Sequence, residues 1–106
     1  MYSIEKLDSI EVVYQTINIS RACFVCDSEE SVYDWITRLS FNDFSCGDVQ
    51  SLDNLDVRMI VLTTHDICNL CETQWENINV VFCESHSAFN ECFSYIIAQP
   101  QYYFIL

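Results

Sequence analysis

Blocks of apolar and polar positions alternate along the chain. Ile10–Ile17 is dense in β-branched and aromatic residues and predicts a first strand. Arg21–Cys26 predicts a second, shorter one. Asp27, with Glu30 three residues on, has the spacing of a helix start. Val32, Trp35, Ile36 and Leu39 then recur at helical spacing, with Glu29, Glu30 and Asp34 on the opposite face. Residues 41–56 are polar and predict a long loop with a short helical turn. Val57–Leu62 is a continuous apolar run, as expected of a strand covered on both faces. Thr64 to about Asn77 predicts a helix with Ile67, Leu70, Cys71 and Ile78 on one side. Val80–Cys83 predicts another buried strand. Ser85 is placed to cap a helix striped by Phe89, Cys92, Phe93, Ile96 and Ile97, which Pro100 stops. Gln101–Leu106 predicts the last strand.

Alternating strands and helices imply crossover connections. The expected fold is α/β: a mainly parallel sheet of four to five strands with about three helices, in two or three layers. Antiparallel pairing of the first two strands at an edge would make it α+β. The chain has 106 residues, one glycine (Gly47) and one proline (Pro100), and no linker-like stretch, so a single domain over residues 1–106 is expected.

Cysteine and charge narrow the setting. Seven cysteines is an odd number, and most sit among apolar neighbours, as in Ala22-Cys23-Phe24-Val25-Cys26. Reduced core thiols fit better than a disulfide framework. No apolar run reaches the length of a membrane span, and Met1–Lys6 lacks the basic-then-apolar pattern of a secretory signal. A cytoplasmic location is expected. Sixteen carboxylates oppose four basic side chains, a formal net charge of −12. Solubility asks for a magnitude of only about 2–8. The excess predicts a field that attracts a cationic partner. Lys6, Arg21, Arg38 and Arg58 are scattered, which excludes the clustered cations that direct nucleic-acid or anionic-membrane binding requires.

Candidate chemistry is sparse. Cys23-Phe24-Val25-Cys26 and Cys68-Asn69-Leu70-Cys71 are two Cys-x-x-Cys pairs. Four thiolates could hold zinc, but in a strand Cys23 and Cys26 point to opposite faces. His65 with Cys68 and Cys71 is a second metal set of the same weak kind. Cys68 and Cys71 follow a strand near a helix start, with Pro100 before the last strand. This placement resembles that of a thioredoxin-like redox pair, whose thiols a helix N-terminus activates. The Trp-Cys-Gly-Pro-Cys pattern of that family is absent. Cys83 near His86, beside Glu84, does not make a defined nucleophile–base pair. One glycine excludes a glycine-rich phosphate loop. The aspartates at 43, 48, 53 and 56 do not have calcium-loop spacing. No catalytic residues, metal or cofactor are therefore assigned, and an enzyme is not expected.

Acidity is uneven along the chain. Between residues 27 and 56, Asp27, Glu29, Glu30, Asp34, Asp43, Asp48, Asp53 and Asp56 stand against Arg38 alone. Tyr33, Phe41 and Phe44 lie among them as possible anchors, while Trp35 belongs to the apolar stripe. The expected function is an acidic stoichiometric inhibitor of immunity or antitoxin type. It would occlude the cationic active site of a basic toxin, a nuclease by this chemistry, through Glu29, Glu30, Asp34, Asp43, Asp48, Asp53 and Asp56. The resemblance to immunity proteins is one of size, acidity and compartment. The alternatives are a phage DNA-mimic decoy, which would spread its charge, and a thiol redox protein using Cys68 and Cys71. The sequence leaves the oligomeric state open.

Overall fold

The computed structural model describes residues 4–17, 19–100 and 102–106, with side chains described from Leu7 onward. Its elements are α1 (Ile4–Ile17), β1 (Ala22–Cys26), α2 (Glu29–Phe41), β2 (Cys46–Gly47), a 3-10 turn (Val49–Ser51), β3 (Met59–Thr63), α3 (Thr64–Ile67), α4 (Glu72–Glu76), β4 (Val80–Cys83), α5 (His86–Ile96) and β5 (Tyr102–Ile105). The five strands form one sheet in the order β2-β3-β1-β4-β5, and every pairing is parallel. The α/β expectation holds, and the α+β fallback does not.

Two apolar layers sandwich the sheet. Alternate residues of each central strand face opposite ways, so a strand buried on both faces is apolar throughout. Cys23, Val25, Ile60, Leu62, Val81 and Cys83 meet Ile67 of α3, Trp75 of α4 and Ala88, Cys92 and Ile96 of α5. Phe24, Met59, Val61 and Phe82 meet Ile10 of α1 and Val32, Trp35 and Leu39 of α2. The domain is thus three-layered, helices over sheet over helices. Trp35 packs on Phe24 at a centroid distance of 4.2 Å.

Some sequence expectations fail. Ile10–Ile17 is helical, not a strand. Leu7, Ile10, Val13, Tyr14 and Ile17 all pack on the core from one side of α1, a 3.6-residue spacing that overrides their β-branched neighbours. The single helix expected from Thr64 to Asn77 is two short ones, α3 and α4. Thr63 caps α3 in a box with Asp66, and the chain restarts at Cys71, whose amide donates to Gln74 Oε1 at 3.0 Å. Ser28, rather than Asp27, caps α2, its hydroxyl accepting from the Ser31 amide at 3.2 Å. β3 starts at Met59, because the Val57 amide turns back to Asn54 O.

Two devices shape the long connection around β2. Asp43 closes α2 in the left-handed region, at φ 66°. Phe44 N then donates to Leu39 O at 3.0 Å and Asp43 N to Ser40 O at 3.2 Å, the paired bonds of a Schellman ending. Arg21, just before β1, is 3% exposed. Its guanidinium donates to Val57 O (3.0 Å), Leu52 O (2.6 Å), Ser51 O (2.9 Å) and Asn54 O (2.8 Å). One side chain thereby donates to four carbonyls of a connection whose own backbone bonds are a 3-10 turn and two further turns.

Replacing that fork removes four bonds, among them the buried one to the Leu52 carbonyl. Arg21→Met is expected to cost about 3 kcal/mol or more, read as a lower urea midpoint. Arg21→Lys brings the charge without the fork and recovers less than half of the loss. An unchanged midpoint in Arg21→Met would show that other contacts hold the loop.

Candidate functional site

Open parallel sheets place ligands at the carboxyl ends of their strands. Here those ends carry carboxylates. β1 leads into Asp27, β4 into Glu84, and β3 into the turn of α3 that holds Asp66. Glu84 is 6% exposed. Its Oε1 accepts from the Asp27 amide at 2.7 Å and its Oε2 from the Trp35 indole at 3.2 Å. Ser85 Oγ donates to Asp27 Oδ2 at 2.9 Å and caps α5 by accepting from the Ala88 amide at 3.1 Å. These bonds lock the β1–α2 and β4–α5 connections into one rigid rim.

Beside this rim is a cleft of about 60 Å³, lined by Glu29, Val32, Tyr33, Asp48, Val49, Val61, Thr63 and Asp66. It exists because β2 has only two residues, paired with Met59 and Ile60, so the upper half of β3 has no strand beside it on that side. Glu29 enters from the first turn of α2, and Asp48 from the cap of the 3-10 turn, where its Oδ1 accepts from the Gln50 amide at 3.0 Å. Asp66 is held by Thr63. The cleft has room for a few waters or the end of one side chain. It is well below the several hundred Å³ of a small-molecule pocket.

The seven residues expected to bind a partner do not share one surface. Glu29, Glu30 and Asp48 lie on the C-terminal rim, with Asp34 one turn further along the exposed face of α2. Asp43 precedes β2 and Asp56 precedes β3, so both lie at the opposite end of the sheet. Asp53 is there too, near Arg21. Asp43 also has a structural task as the helix terminator. Asp27 and Asp66, not among the seven, complete the rim. The Thr63-x-x-Asp66 spacing after a buried strand was the signal for the second of them. Three of the four cations are at the far end: Arg38 in the last turn of α2, Arg21 in the loop, and Arg58, which donates to Ser20 O at 2.6 Å and to Ile19 O. The anchors separate as well: Tyr33 lines the cleft, Phe44 meets Tyr14 at a tilt, and Phe41 is exposed at the end of α2.

The thiols divide by burial. Cys23 and Cys26 point to opposite faces of β1, into separate apolar layers. Cys23, Cys26, Cys83 and Cys92 are buried, and Cys68 and Cys71 are exposed. Burial pushes the Cys23 and Cys26 thiols far up, and pushes Cys83 and Cys92 up to about 12, with Cys68 adding to the shift at Cys92. Cys71 moves the other way: hydrogen bonding by the Thr73 side chain, then the Gln74 backbone, lowers it below the ordinary thiol value. Among the described residues, no group of three or more His, Cys, Asp or Glu side chains is placed to hold a metal. Among them, too, no helix is long and apolar enough to cross a membrane.

No protein-family model and no curated protein matches the chain. Among solved structures it is similar to the crystal structure of the Pyrococcus furiosus Hef helicase domain, with a TM-score of 0.67 and 14% identity. The match covers 96% of this chain and 24% of that one, so the chain spans about a quarter of its length. The fold is a RecA-like, helicase-domain-like α/β domain. At this identity the likeness concerns the fold alone.

Native protein treated with a thiol-specific chromophore should react at Cys71 first and Cys68 next, with Cys23, Cys26, Cys83 and Cys92 silent until denaturant is added. Rapid labelling of all seven would contradict this burial. The buried thiols also set an alkaline limit. Their folded pKa values lie above the unfolded ones, so their contribution is complete below about pH 9 and is lost as pH rises towards about 12. Stability should fall in that window by on the order of 1 kcal/mol per pH unit for each thiol. Denaturant midpoints measured from pH 8 to 11 test it.

Proposed function

We propose that the protein is an acidic stoichiometric inhibitor that captures a basic protein, an antitoxin or immunity-type partner of a toxin nuclease. The observation that supports this reading best is that Glu29, Asp48 and Asp66 all line one small cleft whose lining includes no Lys or Arg. The cleft fits the end of one Lys or Arg side chain, with Val32, Val49 and Tyr33 against its aliphatic stem. Glu30, Asp34 and Asp27 surround it with further negative charge, which speeds encounter with a cationic surface and suppresses binding of anionic ones. The rigid Glu84–Asp27–Trp35 framework lowers the entropy lost on docking. The mechanism is occlusion: a surface built to bind phosphates is covered by carboxylates in their place.

A DNA-mimic decoy is the second reading. It is supported by Asp43, Asp53 and Asp56 at the far end of a molecule 31 Å long, which spread the charge as a duplex would. The two readings predict different losses on mutation.

The test starts with retention of a basic nuclease domain from host lysate at low salt, followed by titration of its activity. One-to-one inhibition, lost at high salt, is expected. Glu29→Lys with Glu30→Lys should weaken capture at least tenfold, while Asp53→Lys with Asp56→Lys leaves it within about twofold, both pairs keeping the wild-type unfolding midpoint within about 1 kcal/mol. Equal losses from both pairs would favour the decoy. No loss from either would remove the acidic rim from consideration.

A further inference from the structure

We infer that β5 is a self-association edge, through which two copies of this chain pair antiparallel about a two-fold axis at Phe104. The two sheet edges differ. β2 is two residues long and turns away into a capped loop, which blunts it. β5 has four residues, Tyr102-Tyr103-Phe104-Ile105, with no charge and no proline, and among the described residues no strand pairs with its outer side. Its inward groups are known: Tyr102 N donates to Asn79 O at 3.1 Å and Leu106 N to Cys83 O at 2.9 Å. Amide direction alternates along a strand. The N–H and C=O groups of Tyr103 and Ile105 therefore point outward.

That spacing is self-complementary. With the axis at Phe104, Tyr103 lies opposite Ile105 of the second copy. Each such pair exchanges two hydrogen bonds, and symmetry doubles them to four. The side chains agree. Tyr103 stacks on Phe89 at 5.2 Å, and Phe89 meets Phe93 edge-on at 5.5 Å. Phe93 (48% exposed), Ile97 (50%), Tyr102 (45%) and Tyr103 (46%) stand open around the edge. Phe89, Phe93 and Ile97 form one stripe of α5 at four-residue spacing, and the axis brings the same stripe of the second copy towards it.

Charge and area select a second copy as the occupant. The chain carries −12, and like charge repels a copy over most of its surface, yet between His86 and Leu106 the sole carboxylate side chain is Glu91. This edge is where two acidic copies can approach. Large side chains bury about 150–250 Å² each, so four half-exposed ones with the edge backbone offer roughly 500 Å² per copy. Two copies reach about 1,000 Å², the lower bound of a specific interface. An interface at that lower bound is expected to be weak and transient.

Sedimentation of the full chain from 1 to 500 µM, at 50 mM and 500 mM salt, decides it. A monomer–dimer equilibrium is expected, strengthened at least threefold by the higher salt because screening weakens the repulsion. Capture through the acidic rim is weakened by salt, so failure of one proposal is distinguishable from failure of the other. Ile105→Pro removes an outward N–H while leaving the bonds to β4, and Phe93→Glu places charge in the stripe. Each should keep the wild-type circular dichroism and abolish the dimer. A wild-type chain that stays monomeric at 500 µM and high salt overturns the inference, as does a dimer that survives either folded variant.

Discussion

The buried Arg21 guanidinium is the interaction on which the arrangement rests. A cation at 3% exposure is costly unless every donor finds an acceptor. Burial lowers its pKa from the ordinary value, and the nearby Cys23 and Asp53 act against that shift. Its partners are carbonyls rather than carboxylates, and this choice has a consequence. Ser51, Leu52, Asn54 and Val57 are drawn onto one point, so a connection made of short turns is tied to the start of β1. β3 is thereby delivered beside β1, and Asp48, at the start of the same connection, is held beside the upper half of β3. Gly47 belongs to this device. A Cβ there would sit 2.3 Å from Ser51 Oγ, and only glycine lets the 3-10 turn fold back so closely.

Three arginines gather at one end of the sheet, with Asp43, Asp53 and Asp56 among them, while the C-terminal rim carries carboxylates. Arg21 and Arg58 spend their donors on backbone carbonyls at the N-terminal ends of the strands. At the C-terminal ends Asp27, Asp48 and Asp66 accept from neutral donors, the Ser85 hydroxyl, the Gln50 amide and Thr63. A helix N-terminus in general favours anions. In this chain Glu29 and Glu30 occupy the first turn of α2 and satisfy its dipole internally. The likeness to the Pyrococcus furiosus structure is therefore one of backbone path, and the rim of this chain is lined by carboxylates.

Much of the fold was legible because buried parallel strands have an unmistakable composition. Met59–Leu62 and Val80–Cys83 are apolar at every position since both their faces are covered, and Ser85 signals the start of α5. α1 was not legible from residue type: its β-branched residues resemble a strand, and only the spacing of its buried positions shows the helix. The break between α3 and α4 turns on side-chain caps at Thr63 and Gln74, local bonds that compete with helix continuation. The site was legible in part for a related reason. Glu29, Glu30 and Asp34 share a helix, so sequence proximity is spatial proximity. Asp43, Asp53 and Asp56 are near them in sequence, but the chain passes along α2 and back through the β2 connection, which puts them at the other end. Asp66 is distant in sequence and adjacent in space, because β3 ends where α2 begins.

The two surfaces are compatible in one molecule. The cleft lies between α2 and the upper part of β3, and β5 is three strands away in the sheet order. At about 4.8 Å per strand, that separation is roughly 14 Å. Pairing through β5 adds the second copy on the side away from the cleft, so both clefts stay open and the acidic rims lie on a continuous ten-stranded sheet. Such a pair is bivalent. Antiparallel pairing turns the two C-terminal rims to opposite ends of the joined sheet, so a dimeric partner gains avidity only where its two basic sites span both ends. Where the partner is monomeric, pairing adds nothing to affinity. The value of the edge then depends on the partner's own symmetry, which ties the two proposals together through geometry.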